Sequence, residues 1–113
     1  MGDCLFCRIV RGEIPAERVY EDDMVLAFED ITPQAPVHVL VIPKTHHESL
    51  GSLYRQPALS AALVDACVVL AQHYQVTDSG FRVVTNSGKD GGQSVFHVHF
   101  HLLGGRPMTW PPG

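Results

Sequence analysis

Apolar residues fall in short alternating or clustered runs over most of this chain, and only one stretch carries a helical period. Between Pro57 and Val76, residues Leu59, Leu63, Ala66, Leu70 and Tyr74 recur at three- and four-residue spacings. That pattern predicts one long helix with a single buried stripe. Cys67 lies beside the stripe and reads as inert core. Val19-Tyr20 and Met24 to Phe28 read as short strands joined at the acidic turn Glu21-Asp22-Asp23. Val37 to Ile42 is strongly β-branched and bracketed by Pro36 and Pro43, which predicts a third strand. Phe81 to Thr85 and Val95 to Leu103 predict two more, separated by a Gly-rich loop. Cys4 to Val10 predicts a short helical turn, stopped around Gly12 and Pro15. Short strands with few helical crossovers imply an antiparallel sheet packed against one main helix. The expected class is α+β.

No repeat or linker divides the chain, and 113 residues suit a single domain spanning 1–113. The 45% hydrophobic content argues for a folded core and against disorder. A formal net charge of −4 leaves no basic footprint for nucleic acid. Any anionic ligand must therefore be held by local N–H groups or imidazoles. Met1 to Cys7 holds no apolar h-region, with Asp3 where a signal peptide would want a cation, and no stretch could span a bilayer. Met1-Gly2 does not start a myristoylation site, because Phe6 stands where Ser or Thr is required. Three cysteines, an odd number, fit a reducing cytoplasm better than a disulfide scaffold. A cytoplasmic soluble domain is expected.

The segment His97-Val98-His99-Phe100-His101-Leu102-Leu103 carries the chemistry. In a strand, Phe96, Val98, Phe100 and Leu102 would face a core, with His97, His99 and His101 on the other side. Three imidazoles on one face can bind an anion, ligate a metal or run nucleophilic and acid–base chemistry near neutral pH. An ordinary outer strand face would draw on Thr, Lys, Glu and Arg instead. Just upstream, Ser87 to Ser94 is Gly-rich, and adjacent glycines allow backbone N–H groups to turn toward a phosphate. It lacks the Gly-Lys-Ser/Thr ending of a P-loop, and by itself it would read as a hairpin loop. Cys4-x-x-Cys7 has the spacing for a tetrahedral zinc, with His46, His47 and His97 available to complete it. A redox pair, or two unrelated buried cysteines, are the alternatives.

With these residues in view, the chain resembles the histidine-triad (HIT) family over nearly its whole length. The likeness is carried by the alternating histidines at 97–103, with Gly12-Glu13-Ile14-Pro15, Asp30 to Pro36, His38 to Lys44, Gly91-Gly92-Gln93-Ser94 and the ending Trp110-Pro111-Pro112-Gly113. It is closest to the Hint branch of nucleoside phosphoramidases. The resemblance implies a HIT-like fold: a five-stranded antiparallel sheet, one long helix and a short N-terminal helix. It also implies that the sheet continues across a homodimer, with the C-terminal tail running toward the partner's active site.

For the site, the resemblance implies a purine slot from Phe6, Ile9, Phe28 and Ile31, and a ribose acceptor in Asp30. Asp30 read alone could simply cap the turn at Thr32-Pro33. Asn86, Gly92, Gln93 and Ser94 would contact the phosphate and leaving-group side. His99 matches the nucleophile, His101 the phosphate partner, and His38 a position behind the triad. The implied substrates are purine nucleoside 5′-phosphoramidates of AMP or GMP, cleaved through a nucleotidyl-histidine without a catalytic metal. A dinucleoside-polyphosphate hydrolase and a nucleotide-binding regulatory module are the rival functions. Some relatives hold a structural zinc, for which the matching ligands are Cys4, Cys7, His46 and His97. His47 could replace His46, since one strand does not fix which of the two turns inward.

Overall fold

The computed structural model describes residues 4–113. The expectations attached to Met1, Gly2 and Asp3 lie outside them. In chain order the elements are α1 (Leu5–Val10), β1 (Arg18–Glu21), β2 (Val25–Glu29), β3 (Val37–Pro43), a 3-10 turn (Leu50–Leu53), α2 (Pro57–His73), β4 (Phe81–Val84) and β5 (Phe100–Gly104). The strands form one antiparallel sheet in the order β1-β2-β3-β5-β4. The expected α+β fold, with five antiparallel strands, one long helix and one short one, is what the chain adopts.

The two-residue period of the strands divides the core into two layers. Val25, Ala27, Val39, Val41 and Leu102 point toward α2 and bury its stripe of Leu59, Leu63, Ala66, Cys67 and Leu70. Leu26, Phe28, Leu40 and Ile42 point the other way, onto Phe6 and Ile9 of α1. β2 and β3 are therefore covered on both faces, which accounts for their near-continuous apolar runs. Tyr74 caps α2, half-buried, and its hydroxyl donates to Glu29 at 3.1 Å. Cys67 is buried in the α2 layer, and burial pushes its thiol up to about 11. It is inert core, as expected.

One strand is shorter than the pattern predicted. β5 begins at Phe100, and Val95 to His99 lead into it outside the ladder. The cause lies at the end of β3. The Val98 N–H donates to the His47 carbonyl at 2.7 Å, and the Pro43 carbonyl takes the His97 ring at 2.8 Å. Pro43 also has no N–H to offer a partner strand. The His99 carbonyl accepts from the Thr85 hydroxyl at 2.9 Å. Alternation therefore fails upstream: Val98 and Leu102 are wholly buried, but Phe96, expected in the core with them, is 50% exposed. Residues 95–97 bend, so the strand rule does not reach Phe96.

Candidate functional site

The α1 side of the sheet carries a cleft of about 170 Å³, lined by Phe6, Ile9, Phe28, Asp30 and Ile31 together with Leu5, Ile14, Pro15, Ala16, Glu29 and Leu40. All five residues expected at a nucleoside slot meet there. Ile31 stands 95% exposed at the rim, an apolar side chain with no cover from its own chain. Leu40 was not singled out from the sequence, although it shares a strand face with His38 and pairs in register with His101. Phe6 and Phe28 meet edge to face with ring centroids 5.5 Å apart. Phe6 also packs edge-on against His99, at 5.1 Å.

The three histidines do not form one row. His99 and His101 lie 5.0 Å apart with His38 beside His101, whereas His97 turns toward the cysteines. The hydrogen-bond network settles which nitrogens carry protons. The His99 Nδ1–H donates to the His97 carbonyl at 2.8 Å, so the neutral form of the ring carries its lone pair on Nε2. Among the described residues no buried side-chain nitrogen or oxygen lacks a partner, so the unpartnered His99 Nε2 reaches the surface. At His38, Nδ1 accepts from the Gln34 N–H at 3.0 Å, which places the proton on Nε2. That Nε2–H donates to His101 Nδ1 at 2.9 Å, so His101 in turn carries its proton on Nε2. An imidazole that offers electrons thus stands beside an imidazole that offers a proton, next to Phe6 of the cleft wall.

Burial pushes His101 down to about 4, helped by His99 and His38 and opposed by Asp30. Burial also lowers His38, again opposed by Asp30. Both are neutral near pH 7. The unfolded chain takes up a proton at the ordinary imidazole value of about 6.5, before the folded chain does. Stability is therefore complete above about pH 6.5 and falls as pH drops toward 4, by up to about 3 kcal/mol for His101. Urea titrations at pH 7 and pH 4.5 should show this loss, and His101→Asn should shrink it. An equal pH slope in both chains would contradict the assignment.

Asp30 does two things at once. Its Oδ1 accepts from the Thr32 N–H at 2.8 Å and from the Thr32 hydroxyl at 3.1 Å, capping the turn. Its Oδ2 lies 3.5 Å from His38 Nε2 and remains the freer oxygen. In the Gly-rich loop, the Gly92 and Gln93 N–H groups close onto the Lys89 and Gly88 carbonyls at 3.0 Å. The Gln93 side chain is buried, accepting from the Gly88 N–H and donating to the Glu48 and Val95 carbonyls. These groups hold the loop's shape. Ser94 stands exposed at its exit and Asn86 half-buried at its entrance.

A second cluster lies behind the triad. Cys4, Cys7, His46 and His97 offer ligand atoms that all lie within 4.8 Å of one another. Sγ to Nδ1 distances run from 3.3 to 3.5 Å, close to the roughly 3.6 Å between sulfur and nitrogen ligands on one tetrahedral zinc. The His97 Nε2–H donates to the Pro43 carbonyl, which aims Nδ1 at the sulfurs, as metal-bound histidines are usually held. The donor set fits zinc. His46, not His47, turns inward; His47 instead contacts the Thr45 hydroxyl at 3.0 Å. Asp30, His38 and His101 also lie close enough for a metal. There the Gln34 N–H holds the proton on the His38 nitrogen that would have to ligate.

The HIT domain family model matches residues 11–108. A HIT family hydrolase from Legionella pneumophila Philadelphia 1 superposes with a TM-score of 0.95 at 49% identity, covering 98% of this chain and all of that one. The 14 kDa zinc-binding protein of Brassica juncea is 49% identical over 98% of this chain and its own full length. A histidine triad nucleotide-binding protein from Candida albicans superposes with a TM-score of 0.83 at 32% identity, covering 96% of this chain and 83% of that one. This chain belongs to the HIT family.

The matched HIT domain contains His38, the triad histidines and the Gly-rich loop, whereas Cys4, Phe6, Cys7 and Ile9 precede it. Two of the four clustered residues and Phe6 and Ile9 of the slot therefore come from the N-terminal segment around α1, which lies ahead of the matched stretch. No helix among the described residues is long and apolar enough to cross a membrane.

Proposed function

We propose that the chain hydrolyses purine nucleoside 5′-phosphoramidates at the α-phosphate, as a member of the Hint branch. The observation that carries this reading is the pairing of protonation states: a free lone pair on His99 Nε2 next to a donor Nε2–H on His101, with His99 packed against Phe6 of an apolar slot. The base enters between Phe6, Ile9, Phe28 and Ile31. His99 Nε2 attacks phosphorus in line, and the P–N bond breaks as the amine leaves with a proton from solvent. The positive charge that develops on the His99 ring rests on the Nδ1–H bond to the His97 carbonyl. The His101 Nε2–H, the Ser94 hydroxyl and Asn86 supply donors around the phosphoryl oxygens. Water then cleaves the phosphorus–His99 bond, releasing the nucleoside monophosphate and returning the proton to solvent.

Turnover of an adenosine phosphoramidate against a diadenosine polyphosphate tests the assignment. The phosphoramidate should be cleaved with the higher kcat/KM, and preference for the polyphosphate would overturn it. The freer Oδ2 of Asp30 is the ribose acceptor in this reading. AMP should bind more tightly than its 2′-deoxy analogue by about 1.5–3 kcal/mol, the usual worth of a hydrogen bond to a charged acceptor. Equal affinities by calorimetry would leave Asp30 as a turn cap only.

Zinc is the proposed occupant of the Cys4, Cys7, His46 and His97 cluster, and protein purified without chelator should carry about one zinc per chain. A homodimer is the proposed assembly. β4 is an edge strand whose Phe81 and Val83 are exposed, and α2 also exposes Val64, Val68 and Val69. The tail is held by Arg82 donating to the Thr109 carbonyl at 2.9 Å, yet Trp110 stands 81% exposed. A partner surface would cover it.

A further inference from the structure

His97 lies where the two clusters meet. Its side chain is wholly buried and belongs to the cysteine cluster, with Nδ1 3.4 Å from Cys4 Sγ and 3.5 Å from Cys7 Sγ. Its main-chain carbonyl belongs to the triad, accepting the His99 Nδ1–H at 2.8 Å. That one bond decides whether His99 presents a lone pair or a proton to the cleft. The residues that set the carbonyl lie outside the ladder, because β5 starts only at Phe100. The segment is therefore held by individual bonds: His97 Nε2–H to Pro43, Val98 N–H to His47, and the sulfur contacts.

A second route runs through α1. Six residues are too few for a helix to persist alone, so its place depends on what anchors its ends. Cys4 caps its N-terminus, its sulfur accepting from the Cys7 N–H at 3.4 Å. Between the two cysteines sits Phe6, whose ring meets His97 at 5.9 Å and His99 at 5.1 Å, both edge-on. Whatever fixes Cys4 and Cys7 fixes Phe6, and Phe6 walls both the slot and the His99 ring. The four side chains meet through sulfur–nitrogen contacts of 3.3–3.5 Å. A metal bound to all four would tie α1, the loop after β3 and the triad segment into one rigid unit.

We propose that Cys4, Cys7, His46 and His97 are positioning residues for His99, so that zinc loading of their cluster fixes the proton of His99 on Nδ1 and seats Phe6 against the ring. The cluster thereby tunes the reactive imidazole, in addition to stabilising the fold. This rests on the phosphoramidase reading only where turnover is the measurement.

The test compares full-length protein carrying zinc, stripped with a chelator, and reloaded, alongside His46→Ala assayed at saturating zinc. His46 touches neither the slot nor His99, so its loss weakens the cluster without altering the reacting groups. The 15N spectrum of labelled histidines reads the His99 tautomer with no substrate present. Loaded protein should show a single Nδ1–H form, stripped protein a mixture, and reloaded protein the single form again. In parallel, kcat should fall at least tenfold on stripping and recover with zinc, and AMP should bind about three- to fivefold more weakly. His46→Ala should shift in the same direction and melt cooperatively. A His99 tautomer and a kcat that do not respond to zinc in cooperatively folded protein would overturn the proposal. Loaded protein that cleaves no phosphoramidate would sink the activity assignment instead, and the tautomer comparison would still decide this one.

Discussion

A His99→Ala chain is expected to lose phosphoramidate turnover by at least about three orders of magnitude, while AMP still binds. The size of the loss follows from the protonation pattern, in which no neighbour can take over. His97 donates from Nε2 to Pro43 and points Nδ1 at the sulfurs. His101 has its Nδ1 lone pair occupied by the His38 Nε2–H, and its own Nε2 carries a proton. His38 receives the Gln34 N–H on Nδ1. His99 Nε2 is the one triad nitrogen left with a lone pair toward the cleft. Binding persists because the slot belongs to Phe6, Ile9, Phe28 and Ile31, none of which is altered. Steady-state rates with calorimetric AMP affinity check both halves. Rapid quenching of wild-type protein should trap the nucleotidyl group on His99. A label on His97 or His101, or an alanine variant within tenfold of wild type, would remove His99 from its role.

Much of this arrangement is legible in the amino-acid order, because periodicity records which face of an element is buried. The α2 stripe and the β3 run between two prolines fall where their spacing puts them. Alternation does not record where pairing stops. Val95 to His99 keep the alternating pattern of a strand, yet their backbone partners are the His47 carbonyl and the side chains of Thr85, Gln93 and His99. Phe96 is exposed for that reason. The choice of His46 over His47 depends on how the chain leaves β3, a matter of tertiary geometry that neighbouring identical residues cannot encode. Gln93 shows the same limit. Its residue type suits a phosphate ligand, but three backbone groups of Gly88, Glu48 and Val95 take up its amide. Asp30 caps its turn through Oδ1 on Thr32, while Oδ2, 3.5 Å from His38 Nε2, is the oxygen proposed for the ribose.

The loop that Gln93 braces supports the other large expected effect. Gly91→Ala should lower kcat/KM by about a hundredfold with little change in cooperative melting, the scale expected when a phosphate-positioning group moves by about 1 Å. The reason is a close backbone approach. A Cβ on Gly91 would collide with the Ser87 carbonyl oxygen and stand 3.0 Å from the Ser87 nitrogen. Neither is the end of a side chain that could swing aside, so the two strands of the loop must separate. Gly92, next along, already holds a φ of +84° that only glycine takes without strain. Separation breaks the closure of Gly92 on Lys89 and of Gln93 on Gly88, and it moves Ser94, the donor proposed for the phosphate. The same movement runs into Val95, which Gln93 holds through its carbonyl, two residues before His97. The fold should survive, since Ser87 and Gly91 are exposed and outside both core layers. Adenosine, which lacks the phosphate, should bind the variant as it binds wild type, whereas AMP should bind more weakly. An alanine variant with unchanged kcat/KM and unchanged AMP affinity would show that this loop does not cradle the phosphate.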